Sequence, residues 1–205
     1  MTNWNRANRI GTLLIGAVLS LTLWSCASGP APIDHYYQID AGVPDAPAAR
    51  KLEGILQVDR LRTDALTRER QLLYKEAADA PEIRQHPYQR WSDPPAILLQ
   101  TELISFLIAA AAADTVMPAT ARVKPDYVVS GHIRDFERVL APEVHAVVEI
   151  QLIVTSTAGD EILINHSYRE ERAAENSTIA ASAVAFSEAV HIIFERFLAD
   201  LGSSS

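Results

Sequence analysis

The sequence is poor in cysteine, in positive charge and in long apolar runs, and each shortage excludes a class of protein. Cys26 is the single cysteine among 205 residues, so an intramolecular disulfide and thiolate-rich zinc or iron–sulfur sites are excluded. The 18 Lys and Arg against 26 Asp and Glu give a net charge of −8, which disfavours nucleic acid as a partner. The apolar run at 10–24 has 15 residues, fewer than the roughly 20 of a membrane-spanning helix.

Motifs of several enzyme classes are missing as well. The sequence has neither nucleotide-binding glycine motif, G-x-x-x-x-G-K-[ST] or G-x-G-x-x-G. It also lacks the G-x-S-x-G turn that presents a hydrolase serine. We therefore predict no catalytic residue, no cofactor and no metal site. The histidines are dispersed along the chain and indicate strand or surface positions: His35, His86, His132, His145, His166 and His191.

The N-terminus carries the strongest pattern in the sequence. Arg6 and Arg9 precede the apolar run, which ends in Leu23-Trp24-Ser25-Cys26. This order is typical of a secretory signal peptide, and its last four residues resemble the lipobox of bacterial lipoproteins. The pattern predicts a signal peptide at 1–25, an acylated Cys26 and a lipidated tether at 26–32. The alternative is an uncleaved anchor in which Cys26 is incidental, and both interpretations place the body outside the cytoplasm.

The residue after Cys26 bears on which membrane holds the anchor. Lipoproteins kept at the inner membrane of diderm bacteria commonly have aspartate at this position, whereas this chain has Ala27. The resemblance to lipoproteins therefore implies the outer membrane.

The rest of the chain predicts a single α+β domain at 33–201 and a disordered tail at 202–205. Apolar alternation indicates strands at 33–40, 52–59, 71–76, 82–88, 126–137, 144–155 and 161–168. Helical spacing indicates long helices at 94–113 and 177–201. We predict a two-layer sandwich, in which both helices pack on a mainly antiparallel sheet.

Two polar segments could serve a partner or only the fold. The segment Tyr88-Gln89-Arg90-Trp91 precedes the first helix; it is either a structural corner or a partner contact made by Tyr88, Arg90 and Trp91. Residues 50–75 contain seven Lys or Arg against four acidic residues. This excess is either a solvated strand edge or a docking patch for an acidic partner or lipid head groups.

Several short motifs together resemble the ABC-type transport auxiliary lipoprotein family, to which PqiC-like proteins belong. Besides Cys26, these are Tyr36-Tyr37-Gln38-Ile39, Ile55-Leu56-Gln57-Val58, Leu72-Leu73-Tyr74-Lys75, Arg90-Trp91-Ser92-Asp93-Pro94-Pro95 and Asp126-Tyr127 followed by Ser130-Gly131-His132-Ile133-Arg134-Asp135-Phe136-Glu137. The resemblance covers nearly all of the chain after Cys26.

The resemblance implies a TolB-amino-terminal-like fold, self-association and no catalytic residues. It also implies a periplasm-facing lipoprotein that docks an MCE-domain protein of an ABC transporter and assists lipid transport between the two membranes. We expect no lipid-sized cavity within one subunit, because two helices on a sheet leave little room. One alternative is a lipoprotein that regulates envelope assembly, for example a cell-wall synthase. A periplasmic hydrolase would need a Ser/His/acid cluster that the sequence does not reveal.

Overall fold

The computed structural model describes residues 31–49, 51–159 and 161–203. Within these residues the chain forms nine strands, two α-helices and one 3₁₀ turn at Ala119–Ala121. In chain order they are β1 His35–Tyr37, β2 Leu52–Val58, β3 Arg62–Thr63, β4 Gln71–Ala77, β5 Arg84–Trp91, α1 Pro95–Ala109, β6 Ala113–Pro118, β7 Tyr127–Ala141, β8 His145–Ser156, β9 Glu161–Ala173 and α2 Ile179–Ser203.

Strand β7 is the centre of the sheet. On one side it pairs antiparallel with β8, which pairs antiparallel with β9. On its other side the short strands β2, β3 and β4 follow one another, all parallel to β7. Strand β6 pairs parallel with β2, β5 pairs antiparallel with β4, and β1 pairs parallel with β5. The sheet is therefore mixed, and the prediction of a mainly antiparallel sheet holds only for β7–β9 and for β4–β5.

The first helix begins where the sequence predicts and ends earlier. Pro94 precedes it, and Pro95 occupies the first turn, where proline loses no needed N–H donor. The prediction extended this helix to residue 113 because alanine favours helix. Instead α1 ends at Ala109, and Ala111 takes a left-handed φ of 51°. The chain turns there, and the next residues form β6, which pairs with β2. Strand β6 was not predicted from the sequence.

Both helices contribute to one apolar core against the sheet. The predicted alternation in β8 is confirmed, since Ala146, Val148, Ile150, Leu152 and Val154 are buried. The helices also touch each other, with the ring centroids of Phe106 on α1 and Phe194 on α2 5.6 Å apart.

The opposite face of β7–β9 is mixed, with charged side chains beside apolar ones such as Val147 and Ile153. There Arg169 bonds to Asp135 at 2.5 Å and to Glu171 at 2.7 Å. This arrangement of one mixed sheet and two helices agrees with the predicted α+β class.

The described residues test part of the prediction for the C-terminal tail and none of the predictions for the signal peptide and Cys26. Gly202 and Ser203 belong to α2, so helix continues into the segment predicted as a tail; 204–205 lie outside the described residues. Cys26, the signal peptide at 1–25 and most of the tether lie outside them too and stay predictions. From Asp34 onward the chain forms one compact unit. Neither helix in the described ranges has the length and apolarity of a membrane span.

Candidate docking surfaces

Trp91, one of the three predicted partner contacts, is a core residue. Its side chain is 1% exposed, and its ring lies 5.2 Å from that of Phe136 on β7 and 5.1 Å from that of Phe186 on α2. Such aromatic contacts join β5, the central strand and the second helix. In this structure a contact from this segment must therefore come from Tyr88 and Arg90, while Trp91 fixes the end of β5.

Tyr88 protrudes from an irregular part of β5. Gln71 pairs with Arg90 and Leu73 pairs with Gln85, so one residue of β4 lies opposite four residues of β5. Tyr88 has a φ of 61° and a side chain that is 46% exposed. A left-handed φ is a rare and strained conformation for a bulky residue, and such strain concentrates at binding sites. This bulge makes Tyr88 the most distinctive exposed residue of the predicted segment.

A partly buried polar cluster surrounds His86, next to the bulge. His86 stacks on Tyr74 with ring centroids 4.2 Å apart, and its Nε2 is 3.4 Å from an Arg138 nitrogen. Burial, aided by the charge of Arg138, lowers the pKa of His86 to about 4. Arg138 donates to Ser182 Oγ at 2.8 Å and to the Ser177 carbonyl at 2.5 Å. The neutral imidazole therefore lies beside a guanidinium that is anchored to the start of α2.

Arg90 lies at an edge of the sheet, where β1 is the outermost strand. Its Nε is 3.1 Å from Asp34 Oδ2, and Tyr36 is its register partner on β1. The guanidinium of Arg70 lies 5.0 Å from the centroid of the Tyr36 ring, within the range of a cation–π contact. We call Tyr36, Arg70, Tyr88 and Arg90 the β1–β5 edge. The contact between Arg70 and Tyr36 was not predicted from the sequence, because it depends on the tertiary fold.

A second candidate surface is an open groove of about 760 Å³ beside α2. Its lining combines apolar residues of the helix, Ala183, Val184 and Ile192, with charged residues such as Asp40 and Glu188. A volume of several hundred Å³ is usual for ligand sites. The expectation that one subunit lacks a cavity of this size is therefore wrong, because the 38–42 loop forms a second wall against α2.

One group of metal-ligand side chains occurs in the described part of the chain. Asp45, His191 and Glu195 each offer a ligand atom, and these atoms lie within 4.8 Å of one another. His191 also lines the groove. This group was not predicted from the sequence, although His191 and Glu195 are four residues apart, a spacing that places both on one side of a helix.

A family model for the ABC-type transport auxiliary lipoprotein component matches residues 37–195. This match confirms the resemblance drawn from the sequence motifs. A sequence comparison with curated proteins finds no match.

Solved structures are similar in fold. A Xanthomonas campestris protein of family DUF330 superposes with a TM-score of 0.72 at 16% identity, covering 80% of this chain and 93% of that one. A protein of uncharacterized function gives a TM-score of 0.63 at 11% identity, covering 82% and 97%. At these identities the likeness concerns the fold alone.

Proposed function

Because the chain belongs to the ABC-type transport auxiliary lipoprotein family, we propose that it is a lipid-anchored adaptor that docks an MCE-domain protein at the outer membrane. In this role it assists the passage of phospholipid between the two membranes and leaves ATP hydrolysis to another subunit. The family match over residues 37–195 carries the proposal. It makes the chain an auxiliary component of an ABC transport system in the cell envelope; the MCE partner, the lipid and the outer membrane belong to the proposal.

The anchor would keep the β1–β5 edge close to the membrane. Acylated Cys26 would stand eight residues before Asp34, a span of no more than about 29 Å when fully extended. Asp34 is followed directly by the edge strand β1. Several acyl chains together give essentially permanent attachment, so the tether would limit how far this edge can move from the lipid surface.

The exposed tyrosines and half-buried arginines of the β1–β5 edge fit the docking role. Tyrosine and arginine are enriched at binding hot spots, where they supply aromatic area and directed hydrogen bonds. Tyr36 and Tyr88 are both large exposed side chains, and Tyr88 is held outward by its bulge. The self-association implied by the resemblance stays a prediction, and native mass spectrometry of the detergent-solubilised protein would test it.

The groove beside α2 provides a second surface with a distinct role. Val184 is an exposed apolar residue in its lining, and apolar surface next to charged groups suits a lipid chain or a partner helix. We assign protein docking to the β1–β5 edge, because strain and exposed aromatic residues coincide there. The groove would contact lipid or a second protein segment.

Photo-crosslinking in cells tests this assignment. A benzophenone amino acid replaces Tyr88 at the edge, Val184 in the groove or Ile162 on β9; the last is a matched control because it is also large, apolar and exposed. We expect Tyr88 to capture an MCE-domain protein and Ile162 to capture none. Capture of cell-wall synthases at Tyr88, with no MCE partner, would replace the adaptor by the envelope-assembly alternative. Equal capture of an MCE protein at all three positions would reject the edge as the docking surface.

A further inference from the structure

The loop between β1 and β2 is tied to both helices by side chains. The Ala41 N–H donates to Glu102 Oε2 on α1 at 2.9 Å, and the Ala41 carbonyl accepts a bond from His191 Nδ1 on α2 at 2.8 Å. The Asp45 N–H donates to Glu195 Oε1 at 2.7 Å. Ala41 itself is buried. These contacts hold the loop, and with it the Asp45 backbone, in a fixed place beside α2.

The bond to Ala41 also fixes the tautomer of His191. A carbonyl oxygen only accepts hydrogen bonds, so the ring proton of the neutral imidazole must be on Nδ1, and Nε2 keeps its lone pair. That nitrogen is 3.8 Å from Asp45 Oδ1. Metal-ligating histidines typically have this arrangement, in which one ring N–H donates to a carbonyl and the other nitrogen is left for the ion.

We propose that Asp45, His191 and Glu195 form a binding site for a divalent transition metal ion of the zinc class. One imidazole nitrogen and two carboxylates are a ligand set that zinc accepts, with a fourth position left to water. The three ligand atoms lie within 4.8 Å of one another, whereas a tetrahedral zinc site needs about 3.4 Å between ligands. The side chain of Asp45 is 85% exposed and can therefore rotate to close this gap.

The charges around the site favour a cation. Asp40 and Glu188 line the same groove as His191, and Arg172 is the one Lys or Arg among the lining residues in the described part of the chain. An excess of carboxylates over cations creates a negative potential that attracts a divalent ion.

A bound ion would add a direct link between the 40–45 loop and α2 at the rim of the groove. Asp40, Ala41 and Gly42 form one wall of that groove, and His191 contributes to the opposite wall. Metal binding would therefore fix the distance between the two walls. This inference is independent of the adaptor role proposed above, because it rests only on the coordination geometry of three side chains.

Calorimetry with Zn²⁺ tests the site on the full-length, untagged protein in detergent after treatment with a chelator. We expect one Zn²⁺ per chain and at least about 10-fold weaker binding in Asp45→Asn, His191→Asn and Glu195→Gln. In His191→Asn the new amide N–H can still donate to the Ala41 carbonyl, and in Glu195→Gln the amide oxygen can still accept from the Asp45 N–H. These two variants therefore keep the loop contacts while removing a metal ligand. His132→Asn is the matched control, since its imidazole lies 3.3 Å from one carboxylate, Asp64, outside the three-residue group.

Two further readouts distinguish a metal site from a loop clasp, by which we mean a set of hydrogen bonds that holds the 40–45 loop against α2 without an ion. Co²⁺ bound through the three side chains gives a visible absorption spectrum that the ligand variants lose, and Zn²⁺ raises the melting temperature of the parent protein but not of the variants. If His191→Asn fails to fold, Asp45→Asn still decides, because its side chain is exposed. Absence of Zn²⁺ binding, or equal affinity in the parent and all three variants, would overturn the proposal and leave the group as a loop clasp.

Discussion

Strands β7–β9 and strands β1–β5 share one sheet but differ in strand length, in pairing direction and in the regularity of their register. In β7–β9 the pairing is long and antiparallel, for example Val129 with Val154 and Ile133 with Ile150. In β1–β5 the strands are short, three of them (β2, β3 and β4) are parallel to β7 without a direct connection to it, and the β4–β5 register breaks at the bulge. Long antiparallel strands set their own register through alternation and turns, whereas short ones depend on tertiary contacts. Tyr88 lies among these short strands, on β5.

The largest expected change in the free energy of unfolding tests whether β5 is firmly packed against the core despite its irregular register. Trp91→Ala removes the aromatic contacts to Phe136 and Phe186 and leaves a cavity, at a cost of about 3–5 kcal/mol in the free energy of unfolding. Urea denaturation followed by circular dichroism measures this cost. Gln89→Ala, two residues earlier in β5 and partly exposed, is the control and should cost less than about 1 kcal/mol. Equal effects of the two substitutions would show that β5 is only loosely attached.

An intermediate effect concerns the neutral histidine next to the bulge. Burial beside Arg138 lowers the pKa of His86 from 6.5 to about 4, so the unfolded chain binds the extra proton first as the pH falls. Stability should therefore decline between about pH 6.5 and pH 4, the sign that linkage requires for a depressed histidine pKa. Urea midpoints at pH 7.5, 5.5 and 4.5 measure the decline, and His86→Gln should show a shallower one. Parallel pH profiles for the two proteins would contradict a partly buried neutral His86.

A smaller effect isolates the backbone strain at Tyr88. The φ of 61° costs an L-residue about 1 kcal/mol or more and costs glycine almost nothing. Tyr88→Gly should therefore be more stable than Tyr88→Ala by about 1 kcal/mol, although alanine is normally the better residue within regular structure. Both variants lose the aromatic ring, so a docking role predicts that both lose the MCE crosslink when the probe is moved to Tyr36. A glycine variant that is less stable than the alanine variant would rule out the strain.

The sequence predicted the elements whose signals are local and failed where pairing is distant. The alternation of β8 and the apolar stripe of α2 identify their buried faces, and the structure confirms both. Strand β6 was missed because the alanine run before it favours helix, and its pairing with β2 is invisible locally. At the β1–β5 edge the sequence indicated Tyr88 but could not show that Trp91 is buried. The metal-ligand group was missed because Asp45 lies far in sequence from His191, and only folding brings the two together.

The smallest expected effect on stability concerns the charged side chains on the face of β7–β9 opposite the helices. Arg169 bonds to Asp135 and Glu171 and lies 3.4 Å from Glu149, yet its side chain is 45% exposed. Exposed ion pairs contribute little because water screens them and ordering the side chains costs entropy. Arg169→Met should therefore cost less than about 1 kcal/mol in urea denaturation at low salt, and the difference should shrink in about 1 M NaCl, where the screening length is about 3 Å. A loss of several kcal/mol that persists in high salt would mean that this ion-pair network fixes the register of the three long strands, and not the alternation of apolar and polar side chains along them.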